Sequence, residues 1–233
     1  MEMRSHRKQR VWLLAGVVVV AIVLAGVAVL IGSAGNGGKE ASAGETAGLF
    51  AGIPQQGMAL GNPDAPVTLE EFADLQCPFC RDYAVGALPQ IVKQYVRTGK
   101  VRLVYRPLAI LGPDSVAAAR VANAAASQNK MWDFVDRFYQ QQGEENTGYV
   151  TDSFLRKVGS EVNGLDVNRA LSEAQAQNTL QTLAASTARA KSFGVDSTPS
   201  FAIGRTGQKA HLIEVTSLAP SFFSSAIQHE LGQ

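Results

Sequence analysis

Cysteine and histidine are scarce in this chain, and net charge is almost absent. Its 233 residues hold two cysteines and three histidines, and 21 basic side chains face 20 acidic ones, leaving a formal charge of +1. So even a balance argues against a nucleic-acid binder, which carries a strongly basic face. Two cysteines are too few for a disulfide-stapled secreted scaffold, which has several pairs at wider spacing. The histidines, His6, His211 and His229, follow no ligand spacing, which argues against a zinc site built on the cysteines. Alanine is abundant but recurs at no fixed period, so a helical repeat is set aside. Neither a metal nor a cofactor is expected.

One stretch lacks charge altogether. Val11 to Ile31 reads VWLLAGVVVVAIVLAGVAVLI, which as a helix reaches roughly 30 Å, the thickness of a bilayer's hydrocarbon core. Arg4, Arg7, Lys8 and Arg10 precede it, and the next basic residue is Lys39. The positive-inside rule then keeps residues 1–10 in the cytoplasm and carries the rest of the chain across a membrane. A cleaved signal peptide is the rival reading, with Gly32-Ser33-Ala34 as a small-residue site, but its apolar core would be shorter. A buried core helix fits less well, because the run has no polar face. Both membrane readings place the remainder outside the cytoplasm.

Residues 32–57 are rich in Gly, Ala and Ser and poor in large apolar side chains. Such a segment cannot offset its ordering entropy and reads as a flexible tether, with Leu49, Phe50 and Ile53 able to dock on the downstream domain. That globular domain is expected over 58–233. Val67 to Ala73 and Val101 to Arg106 read as strands. Between them, Asp82 to Val96 has helical spacing, with Pro89 expected to kink or interrupt it and Gly99 to close it. Helical patterning fills about 114–193, broken at Gln142 to Gly148, and Asp166 is placed to cap a long helix reaching Phe193. Phe201 to Ile203 and His211 to Val215 suggest a hairpin, and Ser217 to Leu231 a last helix. A central sheet with a helical insertion accounts for this order, and the class is α/β.

The two cysteines, Cys77 and Cys80, sit in Cys77-Pro78-Phe79-Cys80, just after the first strand. A thiolate at the start of a helix meets unpaired backbone N–H groups and the positive end of the helix dipole. Such cysteines have pKa values lowered to roughly 3.5–7.5. Pro78 suits a first helical turn, which needs no N–H there. Cys80, about one turn on, is placed to attack a mixed disulfide formed at Cys77. A purely structural disulfide is the bland alternative, but so short a loop constrains the unfolded chain little. Glu71 is either a buried carboxylate that relays the proton of Cys80 or an exposed strand residue beside Glu70; the residues leave both open. Thr198-Pro199 precedes a strand. A cis Pro199 would turn the backbone of Thr198 toward an incoming extended chain, whereas base rate favours an ordinary trans turn.

Taken together, these segments resemble the DsbA-like branch of the thioredoxin superfamily over about Met58 to Leu231. The resemblance is carried by Gly61 to Thr68, by Glu71-Phe72-Ala73-Asp74-Leu75-Gln76-Cys77-Pro78-Phe79-Cys80, by Asn129-Lys130-Met131-Trp132, and by Phe193 to Phe201. It implies a thioredoxin-like fold with an inserted helical domain, a nucleophilic Cys77, a resolving Cys80, a buried acid at Glu71 and a cis peptide at Pro199. It also implies a substrate groove lined by Phe79, Thr198 and Pro199. The expected partners are unfolded or thiol-containing exported proteins and a membrane redox protein that resets the cysteine pair. One departure matters: strongly oxidising members often carry His where this chain has Phe79, and a phenyl ring cannot donate a hydrogen bond to a thiolate. A weaker oxidant is the expectation. Reductase or isomerase activity remains open, as does a redox-inert peptide-binding module.

Overall fold

The protein is described by a computed structural model over residues 48–232. The segment 11–31 lies outside those residues, and no helix among the described residues is long and apolar enough to cross a membrane.

Six strands form one sheet in the order β1-β2-β4-β3-β5-β6. They are β1 (Gln55–Gln56), β2 (Ala59–Leu60), β3 (Val67–Ala73), β4 (Val101–Pro107), β5 (Ser200–Arg205) and β6 (His211–Ile213). β3 runs parallel to β4 and antiparallel to β5. Its sequence, VTLEEFA, is almost wholly buried, as a central strand covered on both faces must be. Side chains alternate across it. Val67, Leu69 and Ala73 enter the larger core, while Phe72 joins a smaller one with Leu108, Ala190 and Ala202.

Between β3 and β4 the chain forms α1 (Pro78–Gly86), α2 (Leu88–Ile91) and a π-helical turn (Val92–Val96). The expected interruption falls at Ala87, where Pro89 supplies no N–H for the carbonyl four residues back. The helix also starts four residues ahead of Asp82, at Pro78. Gly99, at φ +73°, ends the segment in the left-handed region as expected,.

The helical block comprises α3 (Pro113–Ala126), α4 (Met131–Gln140), α5 (Asp152–Ser160), α6 (Val167–Glu173) and α7 (Gln177–Ser192), and α8 (Pro220–Leu231) closes the chain. Asp166 does cap a helix, accepting from the backbone N–H of Arg169. That helix stops at Glu173, so the single long helix expected from Asp166 to Phe193 is in fact two. At the break Thr179 donates its hydroxyl to the Glu173 carbonyl at 2.8 Å, and Glu173 also takes a hydrogen bond from Ser127 just after α3.

The fold also takes in residues assigned to the tether. Phe50 is 2% exposed and meets Trp132 edge-on at 5.7 Å between ring centroids. The Trp132 indole N–H donates to the Met58 carbonyl at 3.0 Å. Packing therefore begins near Leu49, ahead of the expected Met58, because burying an aromatic ring of this kind is worth roughly 1.5–3 kcal/mol. β1 and β2 leave no mark in the sequence pattern, because two-residue strands show no alternation.

Candidate functional site

β3 ends at Ala73, and Asp74 to Cys77 turn the chain into α1. The turn is closed by the Cys77 N–H donating to the Asp74 carbonyl at 3.1 Å. Cys77 is the N-cap residue of α1, extended at φ −69° and ψ 121°, with Pro78 in the first helical turn. Its thiol therefore stands where helix N–H groups lack partners. Cys80 falls one turn on and is fully buried, whereas Cys77 keeps 4% of its surface. Phe79, between them, is 61% exposed.

The loop between α7 and β5 closes over the pair. The Thr198-Pro199 peptide is cis, and the Cys77 Sγ lies 3.3 Å from the Thr198 backbone oxygen. Thr198 and Pro199 are half-buried. Glu71, on β3, is 4% exposed, and its Oε1 has no hydrogen-bond partner. Glu71 is therefore a buried carboxylate and not an exposed strand residue.

These surroundings separate the two thiols. Cys77 is pulled down from 9.0 to about 6. The hydrogen bond from the Cys80 thiol contributes most; burial opposes it, and Thr198 and the backbone N–H groups of Cys80 and Phe79 add to the lowering. Cys80 is pushed well above its ordinary value, by burial first, then by the hydrogen bond to Cys77 and by the charges of Cys77 and Glu71. Glu71 is raised to about 8, mainly by burial and then by repulsion from Cys77. These directions favour a thiolate at Cys77, a neutral thiol at Cys80 and a protonated carboxyl at Glu71 near neutral pH. That arrangement suits a nucleophile, a second sulfur to displace it, and a proton donor and acceptor between them.

Several residues that hold this segment carry little or no signal in the sequence. Gln142 Nε2 donates to the carbonyls of Leu75 and Cys77 at 2.7 and 3.1 Å. Gln76 binds the Leu111 carbonyl, the Ser115 hydroxyl and the Asn146 N–H. Asp74, 1% exposed, sits at the centre of the turn. No local signal marks Gln142, which is 65 positions from Cys77. Asp74 has one: a short carboxylate directly after a strand, suited to bonding the N–H two residues on.

The thioredoxin family's sequence profile matches residues 54–215. A probable disulfide bond formation protein D from Bacillus cereus is 31% identical over 155 residues, covering 65% of this chain and 71% of that protein. Among solved structures, a thioredoxin-like oxidoreductase from Silicibacter pomeroyi is similar at a TM-score of 0.61 and 29% identity, over 78% of this chain and 93% of that one. BdbD from Bacillus subtilis, in its oxidised form, shares the fold at a TM-score of 0.66 and 20% identity, over 78% of this chain and 98% of that one. With this fold, this Cys-x-x-Cys pair and this family match, the chain belongs to the thioredoxin family, is DsbA-like in architecture, and is a thiol–disulfide oxidoreductase.

Proposed function

We propose that the protein introduces disulfides into exported proteins outside the cytoplasm, held at a membrane by residues 11–31. The observation that carries this reading is the placement of the two sulfurs: Cys77 at the N-cap of α1 with its Sγ 3.3 Å from the Thr198 oxygen, and Cys80 one turn on and fully buried. This placement lowers Cys77 and raises Cys80. A substrate thiolate attacks Cys77 Sγ of the Cys77–Cys80 disulfide. That S–S bond breaks, a substrate–Cys77 bond forms, and Cys80 leaves with the electron pair and takes a proton from Glu71. A second substrate thiolate then attacks the substrate sulfur. The substrate disulfide forms and Cys77 departs as a thiolate, favoured by its lowered pKa because weakly basic thiolates leave faster. Two electrons now rest on the pair, and a membrane redox partner removes them.

Phe79, Thr198 and Pro199 form the substrate-facing rim in this reading. An extended substrate segment lies along Thr198 while its sulfur reaches Cys77 through the narrow opening. The name of the Bacillus cereus relative, a disulfide bond formation protein, supports the oxidising direction. Phe79 favours a second reading, a reductase acting on disulfides of exported proteins, because a phenyl ring lends the thiolate no hydrogen bond.

Oxidative refolding decides between them. The oxidised chain should restore activity to reduced, unfolded ribonuclease. Reduction of insulin without any such refolding would establish the reductase instead. A Cys80→Ala variant that traps no mixed disulfides through Cys77 would leave only a binding role for the groove.

A further inference from the structure

Cys77 begins α1, yet its side chain makes no capping bond to the helix. A helix start is ordinarily fixed by such a bond from Ser, Thr, Asp or Asn, so this one must be held from outside. Gln142, 65 positions away, supplies the hold. Its Nε2 donates to the Leu75 carbonyl at 2.7 Å and to the Cys77 carbonyl at 3.1 Å. The Cys77 oxygen also accepts the N–H of Arg81 at 3.2 Å, the bond with which α1 opens. Both hydrogens of one amide are thus committed to the turn that carries the sulfur.

Gln142 is itself fixed from both sides. It lies just past α4, and its N–H reaches the Tyr139 carbonyl at 3.4 Å. Beyond it the Tyr149 ring packs on Gly143 so closely that a Cβ there would lie 2.9 Å from a ring carbon. Tyr149 in turn meets Phe154 edge-on at 5.0 Å between ring centroids. We infer that Gln142 is a positioning residue for the redox step: its amide holds the Cys77 carbonyl so that the sulfur stays beside the unpaired N–H groups at the start of α1. It also covers the negative ends of two carbonyl dipoles, one of them in Cys77 itself, which left bare would oppose charge on the sulfur. The inference rests on Cys77 as the attacking sulfur.

The change Gln142→Met tests it, because methionine keeps the length of the side chain and removes the donor. It alters no charge, so Cys80 and Glu71, the titratable groups that face Cys77, keep theirs. Gln142→Asn is a second variant, which keeps the amide but is one methylene too short to reach both carbonyls. The full-length chain is reduced, and its alkylation by iodoacetamide is followed against pH. Equilibration with glutathione at pH 7 is measured beside it: two glutathiones reduce the Cys77–Cys80 bond, giving two thiols on the protein and one oxidised glutathione.

Expected for Gln142→Met is a Cys77 midpoint raised by about half a pH unit, a change of about threefold in proton affinity and the scale of one hydrogen bond. The reduced pair should be disfavoured at pH 7 by about the same factor, because less of Cys77 is then thiolate. Gln142→Asn should move both readouts in the same direction, and it stands in for Gln142→Met where that chain does not fold. A midpoint unchanged or lowered in a folded variant overturns the inference, even if the melting temperature falls; Gln142 then only secures the loop. Peptide mapping that finds the alkyl group on Cys80 overturns the underlying assignment of the two sulfurs instead, and is read before either midpoint.

Discussion

The Sγ of Cys77 lies 3.3 Å from the carbonyl oxygen of Thr198, a residue 121 positions later in the chain. The protonated thiol can donate to that oxygen, whereas the thiolate cannot. The hydrogen bond from Cys80, with those from the Thr198 side chain and the N–H groups of Cys80 and Phe79, favours the thiolate, and the sum lowers Cys77 to about 6. Alkylation of the reduced protein by iodoacetamide should therefore follow a single titration centred near pH 6. Cys80, buried and raised, should stay unmodified through pH 9. A midpoint at the ordinary thiol value of 9.0 would refute this account of the site.

Glu71 sets a pH dependence of the opposite sign. Its folded pKa of about 8 lies above its unfolded 4.5, so between those values the native state binds more protons than the unfolded chain. Its contribution is fully present below pH 4.5 and is lost as pH rises toward 8. In the oxidised protein neither cysteine titrates and the repulsion from Cys77 is gone, but burial still raises Glu71, so Glu71→Gln should raise stability more at pH 7 than at pH 4.5,. The same change should slow closure of the Cys77–Cys80 bond from a mixed disulfide at Cys77, and the more so as pH rises toward 8, where the ionised Glu71 able to accept the Cys80 proton becomes abundant,. Equal slopes of stability against pH in both proteins would show that Glu71 titrates normally.

Phe79 is open to a direct exchange. At 61% exposure it contributes little to packing, so Phe79→His should leave the fold intact. An imidazole beside the thiolate should lower Cys77 further and stabilise the reduced pair. A gain of one pKa unit corresponds to about 1.4 kcal/mol and a rise of about 30 mV in reduction potential. Equilibration with glutathione buffers measures it, and an unchanged or lower potential would mean that Phe79 does not set the oxidising strength.

On the other face of β3, Glu70 holds two guanidinium groups, with Arg106 Nε at 2.8 Å and Arg189 Nη2 at 2.5 Å. Burial pushes its carboxyl up, but the hydrogen bonds and charges of Arg189 and Arg106 outweigh it and leave it below the usual carboxylate range. Arg189 also stacks over Phe193. Glu70→Gln should destabilise the protein by about 2 kcal/mol at pH 7, because both arginines stay partly in water and keep some solvation. The deficit should shrink as pH falls through the folded pKa, where the parent also loses its charge. Urea unfolding at pH 7 and pH 3.5 distinguishes this from a packing defect, which would be the same at both.

The sequence by itself determined the chemistry and the frame of the fold. A strand, a proline in the first helical turn and two sulfurs one turn apart are short-range features, and short-range features obey local sterics and hydrogen bonding. The two main strands, the terminal helix and the cap at Asp166 were legible for the same reason. Tertiary structure decided what depends on distant partners. It buried Glu71 and seated Thr198 over Cys77; it split the helix after Glu173 and drew Phe50 into the core against Trp132. It also placed Ser115 and Gln142 of the helical insertion on the turn that carries the cysteines. Apart from the helix break, each of these is a contact between segments far apart in the chain, where side-chain packing and desolvation outweigh the small energies that local propensity supplies.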